Sequence, residues 1–306
     1  MVQLLQRLTV CGVAVSMAFF SFLSCSESGS AKGGEASSLK ADDSRGDVVR
    51  PFLSFSRVDE ERSLGFDLLA DTVDDEIPES LPYFSMAELH MLWPDRCEGV
   101  DLSPLHSRLL HVFLNDSVGS DLPSAVENYL GTPFTLEPAR TEGVHVVDEV
   151  EEGRMNISSK SVDLGVYTLC GRYVTMNGQT DMYMAGAAHG LRQDYYVTFD
   201  LQEGRLVELD DLVSDVPRLA RMLTDIYLEP RGLDGYDFYL TGKDDRGSSA
   251  LRVTHNFFFD DGSINFAYQP YEIGCYAEGE IVLEVPIYQL EEAGILTPYA
   301  RNLMDL

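Results

Sequence analysis

Basic side chains are scarce in this sequence. Only 22 Lys and Arg stand against 51 Asp and Glu in 306 residues, a formal charge of −29. Such a chain repels phosphate, so nucleic acid and anionic membrane surfaces are not expected as partners, whereas a cationic protein would be drawn to it. The same charge also keeps an exported protein soluble with no partner at all. Metal-binding patterns are missing too. No H-x3-H, HExxH or paired-Cys spacing occurs, so neither a metal nor a cofactor is expected. No internal repeat and no long coiled-coil pattern interrupts the chain. With 44% hydrophobic residues, it is long enough for one large globular domain or two ordinary ones.

Charge is almost absent from the N-terminus. Arg7 is the only charged residue before Glu27, and LTVCGVAVSMAFFSFLS (Leu8 to Ser24) is apolar or small throughout. This reads as a signal peptide over residues 1–24, with an uncleaved membrane anchor as the alternative. The segment ends in FLSC, a leucine and a small residue before Cys25, which resembles a bacterial lipobox. Cleavage before Cys25 and acylation of its thiol would anchor the protein on a membrane, because each buried methylene contributes about 0.8 kcal/mol. The expected location is the cell envelope, facing the periplasm or the exterior. Cysteine is otherwise sparse: once Cys11 leaves with the signal and Cys25 carries lipid, Cys97, Cys170 and Cys275 allow at most one internal bridge, in any of three pairings.

Residues 25–47 are Ser, Gly, Ala and charge without apolar periodicity, a flexible tether. Residues 48–153 read as an N-terminal α+β region. Ser103 with Pro104, and Asp121 with Pro123, mark the starts of two short amphipathic helices. From residue 154 to the end the pattern is one of strands and hairpins. Turns are expected at Asn177-Gly178, Glu203-Gly204 and Asp261-Gly262, with a helix behind Pro217 and a closing strand from Ile281 to Ile287. The fold class is α+β: an antiparallel sheet with helices packed on one face.

Candidate chemistry is thin. His189, in MAGAAHG, sits among small residues that suggest close backbone approach, and a structural imidazole is favoured over a general base or metal ligand. His255 alternates along an expected strand, and His90, His106, His111 and His145 have no partner at diagnostic spacing. The acidic pairs Glu151-Glu152, Asp210-Asp211 and Asp260-Asp261 lie at turns or helix starts, where carboxylates cap backbone donors. The loop FAYQPYEIGCYAEG is the more promising surface. Its Tyr268, Tyr271 and Tyr276 flank Pro270 and Gly274, and tyrosines on an irregular loop can stack on sugars or anchor a protein.

Read in order, the small-residue turn ending His189-Gly190, then YYVTFD, LVELDDL, an amphipathic helix, NFFF, DDGSINFAYQPYEIGCYAEG and VPIYQL resemble the RsiV-like C-terminal domain family over residues 154–293. The usual Gly-Gly-Ala-His turn has become Gly186-Ala187-Ala188-His189. The resemblance implies a two-part architecture like that of RsiV and of the PdaC-type deacetylases, with a companion domain in residues 48–153. It also implies an extracytoplasmic binding or sensing module, its ligand a cationic protein such as lysozyme or a cell-wall glycan. So few residues precede the signal that a sigma-binding segment is not expected. The competing expectation is an enzyme, or an enzyme accessory, acting on cell-wall polysaccharide; the Asp and twin-His metal set of such deacetylases is missing.

Overall fold

A computed structural model describes residues 52–68, 82–136, 141–150, 156–232 and 237–306. The signal-like segment, Cys25, the tether and the Glu151-Glu152 pair lie outside them. The described chain is α+β, built on a seven-stranded sheet in the order β3-β1-β2-β4-β5-β6-β7. Its strands are β1 (Leu53–Leu68), β2 (Tyr83–Cys97), β3 (Thr141–Val146), β4 (Ile157–Leu169), β5 (Tyr173–Tyr183), β6 (Leu191–Asp200) and β7 (Arg205–Leu206). Every pairing is antiparallel except β2 with β4. Strands from both sides of the expected boundary, β1 to β3 before it and β4 to β7 after it, thus share one hydrogen-bonded sheet.

Helices α1 (Ser103–Leu114) and α2 (Leu122–Gly131) bury one face of this sheet. Leu105, Leu109 and Phe113, at helical spacing, meet the alternating residues Leu89 and Met91, Val162 and Leu164, Val174 and Met176. Ser103 is the first helical residue of α1 and not its cap. The cap position is Leu102, which makes no side-chain bond, and Asp101 just before it accepts from the Ser103 amide at 3.0 Å and the Ser103 hydroxyl at 2.7 Å. Asp121 caps α2, accepting from the Ser124 amide at 2.9 Å. At the other end of α2 the half-buried Lys160 donates its ammonium to the carbonyls of Tyr129 and Thr132, at 2.6 and 2.9 Å, meeting the negative end of the helix dipole. Burial pushes its pKa down to about 8.

Asn177-Gly178 is no turn. The hairpin reverses at residues 170–172, and β5 runs straight through Asn177 and Gly178. Glycine is required there by packing: a Cβ would stand 2.2 Å from the Phe113 ring. The turn before Gly204, at φ +65°, and the Asp261-Gly262 turn, at φ +42° and +76°, stand where expected.

A smaller sheet of β10 (Phe257–Asp260), β11 (Ser263–Tyr268) and β12 (Ile281–Pro286) closes a second core. It packs against α4 (Val216–Leu228), α5 (Ile287–Glu292) and α6 (Pro298–Leu303), joined by the short α3 (Leu209–Leu212). The remaining ladder pairs β8 (Gly242–Lys243) with β9 (Ser249–Ala250). The small sheet also meets the far face of the large one, through Tyr173 on Phe259 at 5.3 Å and Tyr196 stacked on Phe258 at 4.2 Å. Beside that seam the fully buried Asp200 carboxylate accepts from the amides of Gln202 and Glu203 and from the Tyr299 hydroxyl, and faces Arg172 at 3.5 Å. Cys97, Cys170 and Cys275 are all free thiols.

Gly178→Ala is expected to lower stability by about 1–3 kcal/mol, the cost of overpacking a filled core. Adding Phe113→Leu should return part of that loss, read from urea unfolding midpoints. An unchanged midpoint for Gly178→Ala would refute the packing role.

Candidate functional site

The connection of β5 to β6, residues 184–190, is the small-residue turn that carries His189. Gly186, at φ +79°, and the bond from the Ala187 amide to the Met184 carbonyl fold it tightly, while the Ser158 hydroxyl accepts from the Ala185 amide at 3.0 Å. His189 is exposed, with Nδ1 2.8 Å from the neighbouring Gly190 carbonyl. Its ring faces the loop that follows β11. There it stacks on Tyr276 at 3.8 Å and 19°, and Nε2 lies 3.4 Å from the Tyr271 hydroxyl. Tyr271 stacks on Tyr276 in turn, at 5.9 Å and 28°. Three rings from two distant loops form one surface platform.

Tyr268 takes no part in it. The residue continues the alternation of β11 as its last member, is 2% exposed, and donates its hydroxyl to the Arg252 carbonyl at 3.1 Å. The expected irregular loop starts one residue later. His255 is likewise not on a strand but on an exposed bend before β10. His90 lies 3.3 Å from an Asp59 oxygen, His106 contacts the Pro94 carbonyl at 2.6 Å, and His145 the Gly143 carbonyl at 2.7 Å. None joins the platform. Asp211 caps α3 from the Glu208 amide at 2.8 Å, and Asp260 accepts from the Tyr167 hydroxyl at 3.0 Å. Among the described residues no group of three or more His, Cys, Asp and Glu could hold a metal ion.

The platform loop is held firmly. Gln269, Pro270, Tyr271 and Glu272 form a β-turn closed by the Glu272 amide on the Gln269 carbonyl at 3.0 Å. Tyr271 sits third in that turn at φ +74°, where glycine or asparagine is usual. Strain of this kind costs on the order of 1 kcal/mol and collects at functional positions. Gln269 reaches back to β6: its side-chain oxygen accepts from the Asp194 amide at 3.0 Å and its nitrogen donates to the Asp194 carbonyl. Asn256 does the same one step along, accepting from the Tyr196 amide at 2.8 Å and donating to the Asp194 carbonyl at 2.8 Å. At the far end Glu278 accepts from the Cys275 amide at 3.1 Å and pairs with Arg231 at 3.0 Å.

Two clefts flank the platform. One, of about 470 Å³, lies between α1 and the Gln269–Glu272 turn. Three of its polar side chains are already engaged: Arg108 with Glu208 at 2.5 Å, Gln269 and Asn256 with β6. The other, of about 280 Å³, runs from Tyr276 and Tyr183 along the open face of the large sheet. Arg192 on its wall donates to Gln179, which donates to Asp181. Beneath, Asp194 and Glu280 are both pushed toward the neutral form by burial, and Glu280 also by Asp194, up to about 7. The buried Oε1 of Glu280 has no hydrogen-bond partner.

Residues 237–288 match the model of a family described as proteins of unknown function, DUF3298, a stretch that holds Tyr271 and Tyr276 but not His189. A crystal structure of a DUF3298 family member from Bacteroides fragilis shares the fold: 17% identity, 83% of this chain and 97% of that one covered, TM-score 0.56. The chain is also similar to the crystal structure of a DUF3298 family protein from Pseudomonas aeruginosa at 14% identity, covering 82% and 97% of the two chains, TM-score 0.49. No curated protein matches the chain.

Glu280 makes stability depend on pH. Its carboxyl titrates higher folded than unfolded, so its contribution is fully present below about 4.5 and is lost as pH rises through about 7. Glu280→Gln should therefore gain about 1–2 kcal/mol over wild type at pH 8, after allowance for solvent screening, and nothing at pH 4.5. Urea midpoints at the two pH values check this; equal differences at both would contradict it.

Proposed function

We propose that this protein is a lipid-anchored lipoprotein of the bacterial cell envelope that binds a ligand outside the cytoplasm, without catalysis, through His189, Tyr271 and Tyr276. The observation that carries the reading is the platform: three aromatic rings from two separate loops stack at the surface, on a turn strained at Tyr271. A core explanation does not account for rings left in water, Tyr271 being 58% exposed. Exposed, rigidly mounted tyrosines are economical binding groups, because they present a large face at the cost of few rotatable bonds.

The address rests on the sequence: the uncharged Leu8 to Ser24 segment, Cys25 at its end and the polar tether to residue 47. The relation to the RsiV-like domain rests on the ordered motifs of residues 154–293, among which the DUF3298 match takes in the NFFF strand and the platform loop. From that relation and the charge of −29 come the two ligand classes of the reading, a cationic protein such as lysozyme or a cell-wall glycan. Either would be met where the anchor places the protein.

Two outcomes test the two halves of this reading. Cys25→Ala should abolish acyl labelling and release the protein from the membrane fraction; labelling that persists would refute the lipobox. The full chain carrying Cys25→Ala should bind lysozyme or purified cell-wall polysaccharide. Tyr271→Gly, which removes a ring and relieves backbone strain, should weaken that binding at least tenfold while folding as stably as the parent. Wild-type binding by Tyr271→Gly and by Tyr276→Ala would end the platform hypothesis.

A further inference from the structure

A row of polar side chains runs along the smaller cleft. Strand register lines up Glu88 of β2, Ser161 of β4, Asp181 of β5 and Arg192 of β6 as direct neighbours across four strands. They share one face, because Leu89, Val162 and Val174, at odd spacing from them, fill the core on the other. At about 4.8 Å between strands the row is roughly 14 Å long. Every member is half-buried or exposed, and the row ends against Tyr183 and Tyr276. One step along the strands His90, Asp163, Gln179 and Asp194 repeat it in the same register.

We infer that this track, from the platform across β6, β5, β4 and β2, is the binding site for an extended glycan chain. The inference rests on the binding function proposed above and names its ligand class. A pyranose presents two kinds of surface, an apolar C–H face and a rim of hydroxyls. The rings of Tyr276 and Tyr183 match the first. Both are fixed, Tyr276 by the His189 stack and Tyr183 by a 3.3 Å bond from its hydroxyl to the Ala187 carbonyl. The planar carboxylates and guanidinium of the row match the second, since each offers two adjacent acceptors or donors to neighbouring hydroxyls. The Arg192–Gln179–Asp181 chain of hydrogen bonds sets the orientation of two of them before any ligand arrives.

A linear arrangement favours a polymer over a compact ligand. All four members of the row line the cleft of about 280 Å³, and a single sugar ring would meet only part of a row roughly 14 Å long. At the platform end Arg192, 62% exposed and 3.9 Å from Asp194, offers hydrogen-bond donors with its charge already paired, which suits neutral hydroxyls.

The test uses the full chain with Cys25→Ala and neutral β-1,4-linked N-acetylglucosamine oligomers of one to six units, titrated by calorimetry or NMR at low and at about 0.15 M salt. Affinity should rise at least tenfold from the monosaccharide to the tetrasaccharide and change less than twofold with salt. Asp181→Asn, which keeps the shape of the side chain, and Tyr276→Ala should each cost at least fivefold, while Tyr276→Phe should bind as wild type. No binding by any oligomer, or no gain with length, overturns the inference. So does lysozyme binding that needs Tyr276, falls with salt and is not displaced by the hexamer; that result leaves the platform a binding site and assigns it to a cationic protein. Loss of every ligand from the platform would remove both readings together.

Discussion

Strand β6, last but one in the large sheet, has too little beside it along most of its length, and the site exists because of how that edge is satisfied. Its neighbour β7 pairs with only the last two residues, Phe199 and Asp200, which leaves the outward backbone groups near Asp194 and Tyr196 without a ladder. Backbone groups at a partly buried edge must find partners or lose about 1–3 kcal/mol each. Here side-chain amides stand in for a strand. Gln269 gives and takes at Asp194, and Asn256 bridges Tyr196, Asp194 and the Ala267 carbonyl. The same bonds set the loop from Gln269 to Glu278 next to the β5–β6 turn. That is why His189, from the turn, faces Tyr276 and Tyr271, from the loop.

The rest of the joint is electrostatic and buried. Asp200 collects two backbone amides, one tyrosine hydroxyl and the flank of Arg172, whose guanidinium also donates to the Asn302 carbonyl at 2.7 Å. The β4–β5 turn, the β6–β7 turn and α6 thus meet at one carboxylate. Arg205 stacks on Tyr299 at 4.2 Å from the ring centre and closes the group from outside. A buried charge with this many partners adds little net stability compared with apolar packing, but it tolerates only one arrangement of the elements around it. For a site divided between two loops, that uniqueness of arrangement matters more than the stability.

What could be read from the sequence was local. Proline and aspartate marked α2 and α4, and glycine after a carboxylate marked the turns at 203–204 and 261–262, because these residues act through their own φ and their nearest amides. Asn177-Gly178 carried an equally strong turn signal and misled, since the demand on Gly178 comes from Phe113, a helical residue far back in the chain. Tyr268 misled for the opposite reason. Proline at 270 suggested that irregularity began early, whereas the strand's alternation still held at 268 and buried the ring. Tyr271 and Tyr276 were legible as loop aromatics. Their contact with His189 was not, because it depends on the amides of Gln269 and Asn256, which look like ordinary polar loop residues until β6 lies beside them.

The polar row across the sheet was illegible for a further reason. Each strand alone shows only the alternation of a half-buried β-strand, in which an outward Glu88, Ser161, Asp181 or Arg192 needs no explanation. Their alignment is a property of register, and register here passes through the parallel pairing of β2 with β4, between which α1, α2 and β3 intervene. A one-residue slip in that pairing would turn Ser161 inward and Val162 outward. The core forbids the slip, because Val162 and Leu164 must meet Leu89 and Met91 beneath α1. The apolar face therefore determines the order of the polar one. Selection on packing beneath the sheet and selection on the surface above it act through the same register, which is how a sheet with one helical face can offer a ruled, straight surface on the other.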